Sequence, residues 1–428
     1  MAALDLINDD AIAEILLRLP PDDPACLVHA ALVCKLWHRI LSEPTFPRRY
    51  RKFHRTPPLL GFFHHNFISG YDTVAGFVPT TSATPFPQQE LNLNAPHWDI
   101  IDTRHGRVFA MLGNYYVVWD PITGVREVLP YPASPEYDFR SFAVLCPVAG
   151  CDHSDCNGGP YLVIFLSLER HSFVHACVYS SETRAWGARV SVLAGDGCLS
   201  IDRKRGALTR DNTYYCQVEP GDRILKYELG THSLSVIDPP SLYDMCPLLM
   251  PNDDGSLGLA GVKDSSLYLW SRTVNPKGIF EWIQRRVIEL DNKLFHAENF
   301  LNQVILSGFA EDAGFIYMTT HDAVYAFELN SGQVRKVSER WNYYTEVYPF
   351  NSFYTPDFAS SKLPPPAKTY LISAHPHQMS FMELIVEDEL ASSVPFSLGC
   401  VKPELIFRVI TARDPEAIYF ASWLEAAG

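Results

Sequence analysis

Apolar positions divide this chain into two textures. Over residues 6–50 they recur at helical spacing, and from Pro57 onward they run in short β-branched and aromatic stretches between Gly, Pro, Asn and Asp. In the first region Asn8 or Asp9 can cap a helix, with Asp10 and Glu14 near its positive end and Ile12, Ile15, Leu16 and Leu19 on one face. Pro20-Pro21 stops it, because proline lacks the amide donor and clashes with the preceding turn. Asp22 or Asp23 then caps a second helix with Pro24 in its first turn. Leu27, Ala31, Cys34, Trp37 and Leu41 form its stripe, widened by Val28, Leu32, Val33, Leu36 and Ile40. So broad an apolar surface on ~40 residues exceeds what short helices hide among themselves. A partner or the next domain must cover the remainder.

The second region repeats a strand, a polar turn and a second strand. The unit runs from Tyr116 to Leu129, from Cys177 to Trp186, from Ile224 to Val236, from Leu267 to Ser271 and from Val324 to Arg335. Its starts lie roughly 45 to 60 residues apart, the length of one four-stranded propeller blade with a variable loop. Gly106–Ala110, Leu162–Leu166, Leu257–Gly261 and Gly314–Met318 carry small residues and are expected as inner strands, where strands crowd a central channel. The pattern predicts an α+β multidomain chain: a three-helix module over residues 1–50, then an all-β propeller-like body over 57–352 with about six or seven blades. A pair of packed sandwiches is the rival architecture, and it explains the repeat less well. Ser360–Ala367 reads as a linker, and residues 353–428 carry no blade unit.

Composition narrows the partners. With 428 residues, 47% hydrophobic and 20% charged, the chain belongs with ordered globular proteins. A net charge of −14 disfavours nucleic acid and anionic membranes, which both reward clustered Lys and Arg. The local basic run Arg48–Arg55 reads as a solvated helix end. Met-Ala-Ala-Leu-Asp at the start lacks the basic and apolar regions of a secretory signal, and no stretch approaches a membrane span. Ten Cys, mostly within apolar runs, suggest reduced thiols in the cytoplasm or nucleus.

Few constellations suggest chemistry. Cys146, Cys151, His153 and Cys156 have metal-ligand chemistry, but the spacing C-x4-C-x-H-x2-C matches no familiar zinc arrangement, so a plain inter-strand loop is expected and no metal or cofactor is assigned. No triad signature, nucleophile elbow or phosphate-binding glycine loop is present. Ser180–Trp186 resembles the turn motif of sialidase-type propellers, without paired carboxylates to support a glycosidase. His64, His65, His375 and His377 read as surface or strand residues.

The order Leu-Leu-Arg-Leu-Pro-Pro, a short gap, then Leu-Val-Cys-Lys-Leu-Trp-His-Arg-Ile-Leu closely resembles the F-box, over residues 6 to 46. F-boxes commonly open with Leu-Pro; Ile7-Asn8 stands there in this chain. The body resembles the kelch-like β-propellers attached to many plant F-box proteins. That resemblance implies docking on the Skp adaptor, and through it a cullin, as the substrate receptor of a ubiquitin ligase. It implies adaptor contact by Ile7, Ile12, Ile15, Leu16, Leu19 and Pro20, with Leu32, Val33, Cys34, Trp37 and Ile40 shared between contact and module core. The receptor would hold an unknown protein target on propeller loops, with Tyr131–Tyr137 and Cys146–Gly159 the longest candidates, and would supply no catalytic residue. An adaptor-binding scaffold without targets and a propeller hydrolase with a helical cap are the alternatives.

Overall fold

A computed structural model describes residues 9–69, 72–80, 98–113, 115–132, 139–148, 151, 153, 156, 158–169, 173–193, 200–201, 204–219, 223–240, 247–263, 265–290, 304–320, 323–339, 346–355, 370–375 and 378–383. The chain divides into two compact units. One comprises Met1–His54, Thr81–Pro87 and Tyr354–Gly428, the other Arg55–Thr80 and Gln88–Phe353. Among the described residues no helix is long and apolar enough to cross a membrane.

The first unit contains four helices: α1 (Asp9–Leu17), α2 (Pro24–Val33), α3 (Lys35–Leu41) and α4 (Phe46–His54). Asp23 caps α2, its Oδ1 accepting from the Ala25 amide at 3.1 Å, and Pro24 takes the first turn. The expected single second helix is in fact two. Cys34 adopts an extended backbone (φ −163°, ψ 164°), ending α2 and capping α3. Apolar side chains surround α2 almost evenly, so it has no one face to continue, and the break lets α3 bury Trp37, Ile40 and Leu41. The basic run falls in α4, with Arg51, Lys52 and His54 in its last turn against the negative end of the helix dipole. Helix α1 packs against α3 and α4, and α2 against α3. Tyr50 is fully buried and donates to the Leu19 carbonyl at 2.8 Å, while His54 Nε2 lies 2.8 Å from the Leu17 carbonyl, so α4 holds the end of α1. A hairpin of Tyr370–His375 with Gln378–Glu383 completes the described part of this unit.

The second unit is a six-bladed ring of antiparallel sheets. Blade 1 orders its strands Trp98–Arg104, Arg107–Leu112, Tyr115–Trp119 and Arg126–Leu129. Blade 2 runs Phe139–Leu145, Leu162–Glu169 and Phe173–Ser180, with Ala185–Trp186 and Val190–Leu193 both on the third strand. Blade 3 begins with Ser200–Ile201 and Ala207–Leu208 on Thr213–Glu219, then Arg223–Glu228 and Ser233–Ile237. Blade 4 is Leu248–Pro251, Leu257–Lys263, Ser266–Val274 and Phe280–Glu289, and blade 5 is Ile305–Ala310, Phe315–Thr319, Ala323–Glu328 and Val334–Glu339. Blade 6 joins the two ends of the ring: Val347–Asn351 pairs with Leu59–Ser69, which pairs with Asp72–Pro79.

The recurring sequence unit occupies the third and fourth strands of blades 1, 2, 3 and 5, and the third strand of blade 4. Its turn has a fixed chemistry. Gly124, Arg184, His232 and Gly332 all sit in the left-handed region (φ 73°, 53°, 51° and 71°), each preceded by Thr or Ser. In blade 1 Asp120 Oδ1 accepts from the Ile122 and Thr123 amides at 2.9 and 3.3 Å, the side-chain turn that aspartate favours. On the outer strands Trp186 of blade 2 donates to the Pro130 carbonyl, and Trp282 of blade 4 to the Asp238 carbonyl, both at 2.9 Å. The same bond thus ties blade 1 to 2 and blade 3 to 4.

The small-residue runs expected next to the channel are second strands instead. The first strand of each blade faces the first strands of its neighbours, Trp98–Arg104 against Phe139–Leu145 and Val347–Asn351, and Ile305–Ala310 against Val347–Asn351 and Leu248–Pro251. Second strands are sheathed on both sides and read as continuous apolar runs. The first strand of blade 1 carries polar groups, Asp102 and Thr103, that bond between blades, so hydrophobicity does not mark it. Crowding at the centre is real, but it falls on Gly308 of a first strand, where an added Cβ would meet the Val347 carbonyl oxygen at 2.2 Å. Aromatic clusters fill the spaces between blades: Phe109, Tyr116, Phe142, Phe165 and Tyr179 between blades 1 and 2, and Phe63, Phe77, Phe350 and Trp119 where blade 6 meets blade 1. Because the obstacle at Gly308 is backbone, Gly308→Ala should destabilise the propeller by about 1–3 kcal/mol, read as a lowered midpoint in chemical denaturation with an unchanged m-value.

Candidate functional site

The helical unit sorts the proposed contact residues by exposure. Ile12, Leu16, Leu19, Trp37 and Ile40 are buried, with Leu16 fully enclosed. Ile15 is half-buried, and Pro20 and Cys34 are exposed. Leu32 and Val33 stand 48% and 60% exposed at the α2–α3 break, large values for aliphatic side chains. Ile7 lies outside the described residues. The extended Cys34 is what turns the end of α2 outward, so the break builds an apolar surface from Leu32, Val33 and Cys34. Two ion pairs flank the helices, Arg39 with Asp9 at 2.5 Å and Arg49 with Glu14 at 3.4 Å; both are solvent-exposed and contribute little beyond orientation.

The propeller centres on a buried charge network. Asp102, on the first strand of blade 1, accepts from the Val144 amide of blade 2 at 2.8 Å and from Arg205 Nε of blade 3 at 3.3 Å. Arg205 reaches Glu311, beyond the first strand of blade 5, at 3.1 Å. Arg104 is fully buried, bonds to the Gly206 carbonyl and lies 5.6 Å over the Tyr214 ring. Two guanidinium groups face two carboxylates, so the network is neutral in sum. Thr103 adds a bond to the Pro349 carbonyl of blade 6 at 2.7 Å.

A second arrangement has the order of a hydrolytic triad. Ser191 Oγ lies 2.5 Å from His175 Nδ1, and His175 Nε2 lies 2.7 Å from Glu169 Oε2. No sequence motif marks it, because the three residues meet through strand pairing; the register His175 opposite Ser191 and Ser167 was the only available signal. Ser191 lies inside a paired strand, with Val190 and Val192 in register with Ala176 and Val174. Among the described residues no turn or helix terminus presents a pair of backbone amides beside it to stabilise an oxyanion. The geometry suits a buried histidine satisfied on both ring nitrogens.

Blade 4 offers a different kind of surface. Its outermost strand Phe280–Glu289 exposes nearly every residue, and Ile279, Phe280, Ile283 and Val287 are 59%, 53%, 38% and 45% exposed. Arg272 stacks over Phe280 at 4.1 Å. The candidate loop Cys146–Gly159 is described in part, and within it the ligand atoms of Cys146, Cys151, His153 and Cys156 all lie within 4.8 Å of one another. Of Tyr131–Tyr137, residues 133–137 lie outside the described part.

His64 and His65, expected as surface or strand residues, lie in the strand Leu59–Ser69 and are buried. His65 Nε2 accepts from the Ile100 amide at 2.8 Å, joining blade 6 to blade 1. His64 lies against Gly76, its cross-strand partner, where a Cβ would strike the imidazole at 2.3 Å. His375 ends a strand, and His377 is outside the described residues.

Residues 4–49 match the F-box domain. Residues 99–358, more than half the chain, match the family described as "F-box protein AT5G49610-like, beta-propeller". The protein is an F-box protein with a propeller body, and it belongs to that AT5G49610-like family. No curated protein matches the chain. Among solved structures it is similar to the Dos1 propeller (9% identity, TM-score 0.36, covering 64% of this chain and 69% of that one). It is also similar to the Cps50 (Swd1) β-propeller domain of Myceliophteria thermophila (11%, 0.34, 65% and 83%) and to virginiamycin B lyase from Staphylococcus aureus (10%, 0.31, 65% and 85%). Likeness at that level decides nothing about this chain.

Desolvation, then the neighbouring His65, lowers the His64 pKa from 6.5 to about 3. The unfolded chain therefore takes up this proton before the folded one does. Its contribution is complete above about pH 6.5 and is lost as pH falls from there toward 3. His64→Leu should shrink the loss of unfolding free energy between pH 7 and pH 5 by about 2 kcal/mol, measured by denaturant titration at the two pH values.

Proposed function

We propose that this chain is the substrate-recognition subunit of a Skp–cullin–F-box ubiquitin ligase. The observation that carries the reading is the union, in one chain, of an F-box with an exposed apolar break and a closed six-bladed propeller. Leu32, Val33, Cys34 and Pro20, with the open side of Ile15 and with Ile7, contact the Skp-family adaptor. Ile12, Leu16, Leu19, Trp37 and Ile40 hold the helices that present them. The propeller holds a protein target, and the outer strand of blade 4, with Ile279, Phe280, Ile283 and Val287 exposed, is the first surface to test.

The chain itself supplies no catalytic group in this mechanism. Ubiquitin transfer accelerates because a held target meets the charged conjugating enzyme at high effective concentration. Reduced cysteines and the acidic balance fit work in the cytoplasm or nucleus, away from nucleic acid and membrane.

Exposed and buried candidates predict opposite variant behaviour. Leu32→Asp with Val33→Asp should lower capture of an Skp-family adaptor by about 10–100-fold, and each change should alter folding stability by no more than about 0.5 kcal/mol. Leu16→Ala should instead cost about 2–5 kcal/mol of stability. Undiminished capture by the double variant would remove the docking surface. Cullin-dependent ubiquitin transfer to a co-purified target, lost in that variant, separates a ligase receptor from a mere scaffold.

A further inference from the structure

Cys146 follows the first strand of blade 2, and Cys151, His153 and Cys156 lie in the long connection to its second strand. The sequence grouped them by residue type at a spacing that matches no familiar zinc arrangement, and the fold brings one ligand atom of each to within 4.8 Å of every other. In a tetrahedral zinc site with Zn–S of about 2.3 Å and Zn–N of about 2.1 Å, sulfur and nitrogen sit about 3.6 Å apart. His153 Nδ1 and Cys156 Sγ are separated by 3.6 Å. We propose that Cys146, Cys151, His153 and Cys156 bind one zinc ion, and that this ion fastens the long loop of blade 2.

Features besides the ligand distances support the site. The first is Arg107, at the start of the second strand of blade 1. It is buried, donates to the Cys156 and Gly159 carbonyls, and its Nη1 has no hydrogen-bond partner among the described residues. Three thiolates and a neutral imidazole around a divalent ion leave one net negative charge, and Arg107 is the cation that faces it. A buried guanidinium with its Nη1 unpartnered carries a desolvation cost that a neighbouring negative charge offsets.

The second is backbone strain. His153 sits at φ 57°, a left-handed conformation that costs an ordinary residue about 1–3 kcal/mol and persists where something over-determines it. The third is backbone hydrogen bonding to sulfur. The His153 amide points at Cys151 Sγ at 3.4 Å, which orients that sulfur within the loop. His105, in the blade 1 turn, stacks on the His153 ring at 3.9 Å and fixes its plane.

The loop lies far along the chain from the F-box, so the site can stand or fall independently of adaptor docking. The test uses the full chain purified under reducing conditions without chelator. Elemental analysis should find one zinc per chain. Replacement by Co2+ should give sulfur-to-cobalt charge-transfer absorption and the visible bands of a tetrahedral ion. Cys151→Ser and Cys156→Ser should each abolish both signals, whereas Cys34→Ser should leave them. His153→Cys should retain the metal with stronger charge-transfer absorption, which a merely misfolded loop would not do. Arg107→Met should weaken metal affinity by about 10–100-fold. A chain that takes up no Co2+ with its thiols reduced would overturn the proposal. So would a disulfide among the three cysteines under these conditions, or metal uptake unchanged in Cys151→Ser and Cys156→Ser.

Discussion

A ring of sheets exists only if its last strand finds its first, and in this protein Val347–Asn351 does so by pairing with Leu59–Ser69. Until that pairing forms, Val347–Asn351 and Leu59–Ser69 both present open edges, and open edges invite pairing with other chains. The contact is far apart in sequence, so its loop-closure entropy must be offset by what assembles there. What assembles is aromatic. Phe350 meets Phe63 and Phe77, and Phe63 reaches Trp119 of blade 1, so closing the ring and sealing the blade 6–blade 1 interface are one event. Thr103, bonding to Pro349, adds a polar check on the same junction.

Closure sets what the centre must do. Six first strands converge, and the polar groups they bring inward have to be satisfied by one another. Asp102 does this by bonding to the Val144 amide and the Arg205 guanidinium, and Arg205 passes the constraint on to Glu311. A network of this kind adds little net stability over a well-packed apolar centre, but removing a single member leaves an uncompensated buried charge. Its consequence is register. Asp102 reaches Val144 only when the first strands of blades 1 and 2 stand at one offset, and Arg205 completes it only when blade 3 follows suit.

The parts of the fold legible in the sequence are those fixed by local chemistry. The Pro20-Pro21 stop, the Asp23 cap with Pro24 behind it, and the third-to-fourth-strand hairpins each rest on a residue acting within four positions of itself. The left-handed residue of those hairpins was partly hidden, since Arg184 and His232 hold the place that Gly124 and Gly332 announce. What stayed illegible is set by tertiary partners. Nothing local marks Cys34 as a break, because a helix could pass through it. The first strand of blade 1 escaped notice because its polar residues are satisfied across blades. Ser191, His175 and Glu169 meet only through strand register, and the four zinc-type ligands through a loop whose spacing follows no repeat.

The same limit explains the candidate contact residues. Periodicity identifies apolar positions, and a contact residue and a core residue need the same apolar position on the same helix. Leu16 and Leu32 are indistinguishable in sequence, yet one is fully enclosed and the other half-open. The difference arises from one residue, Cys34, whose extended backbone redirects the chain so that α3 turns Trp37, Ile40 and Leu41 inward while the end of α2 is left outside. A continuous helix would have kept Leu32 and Val33 on the same rod as Trp37, with no corner to present them. The break therefore makes both the module's core and its exposed apolar corner, and a change that straightened it would disturb the two together.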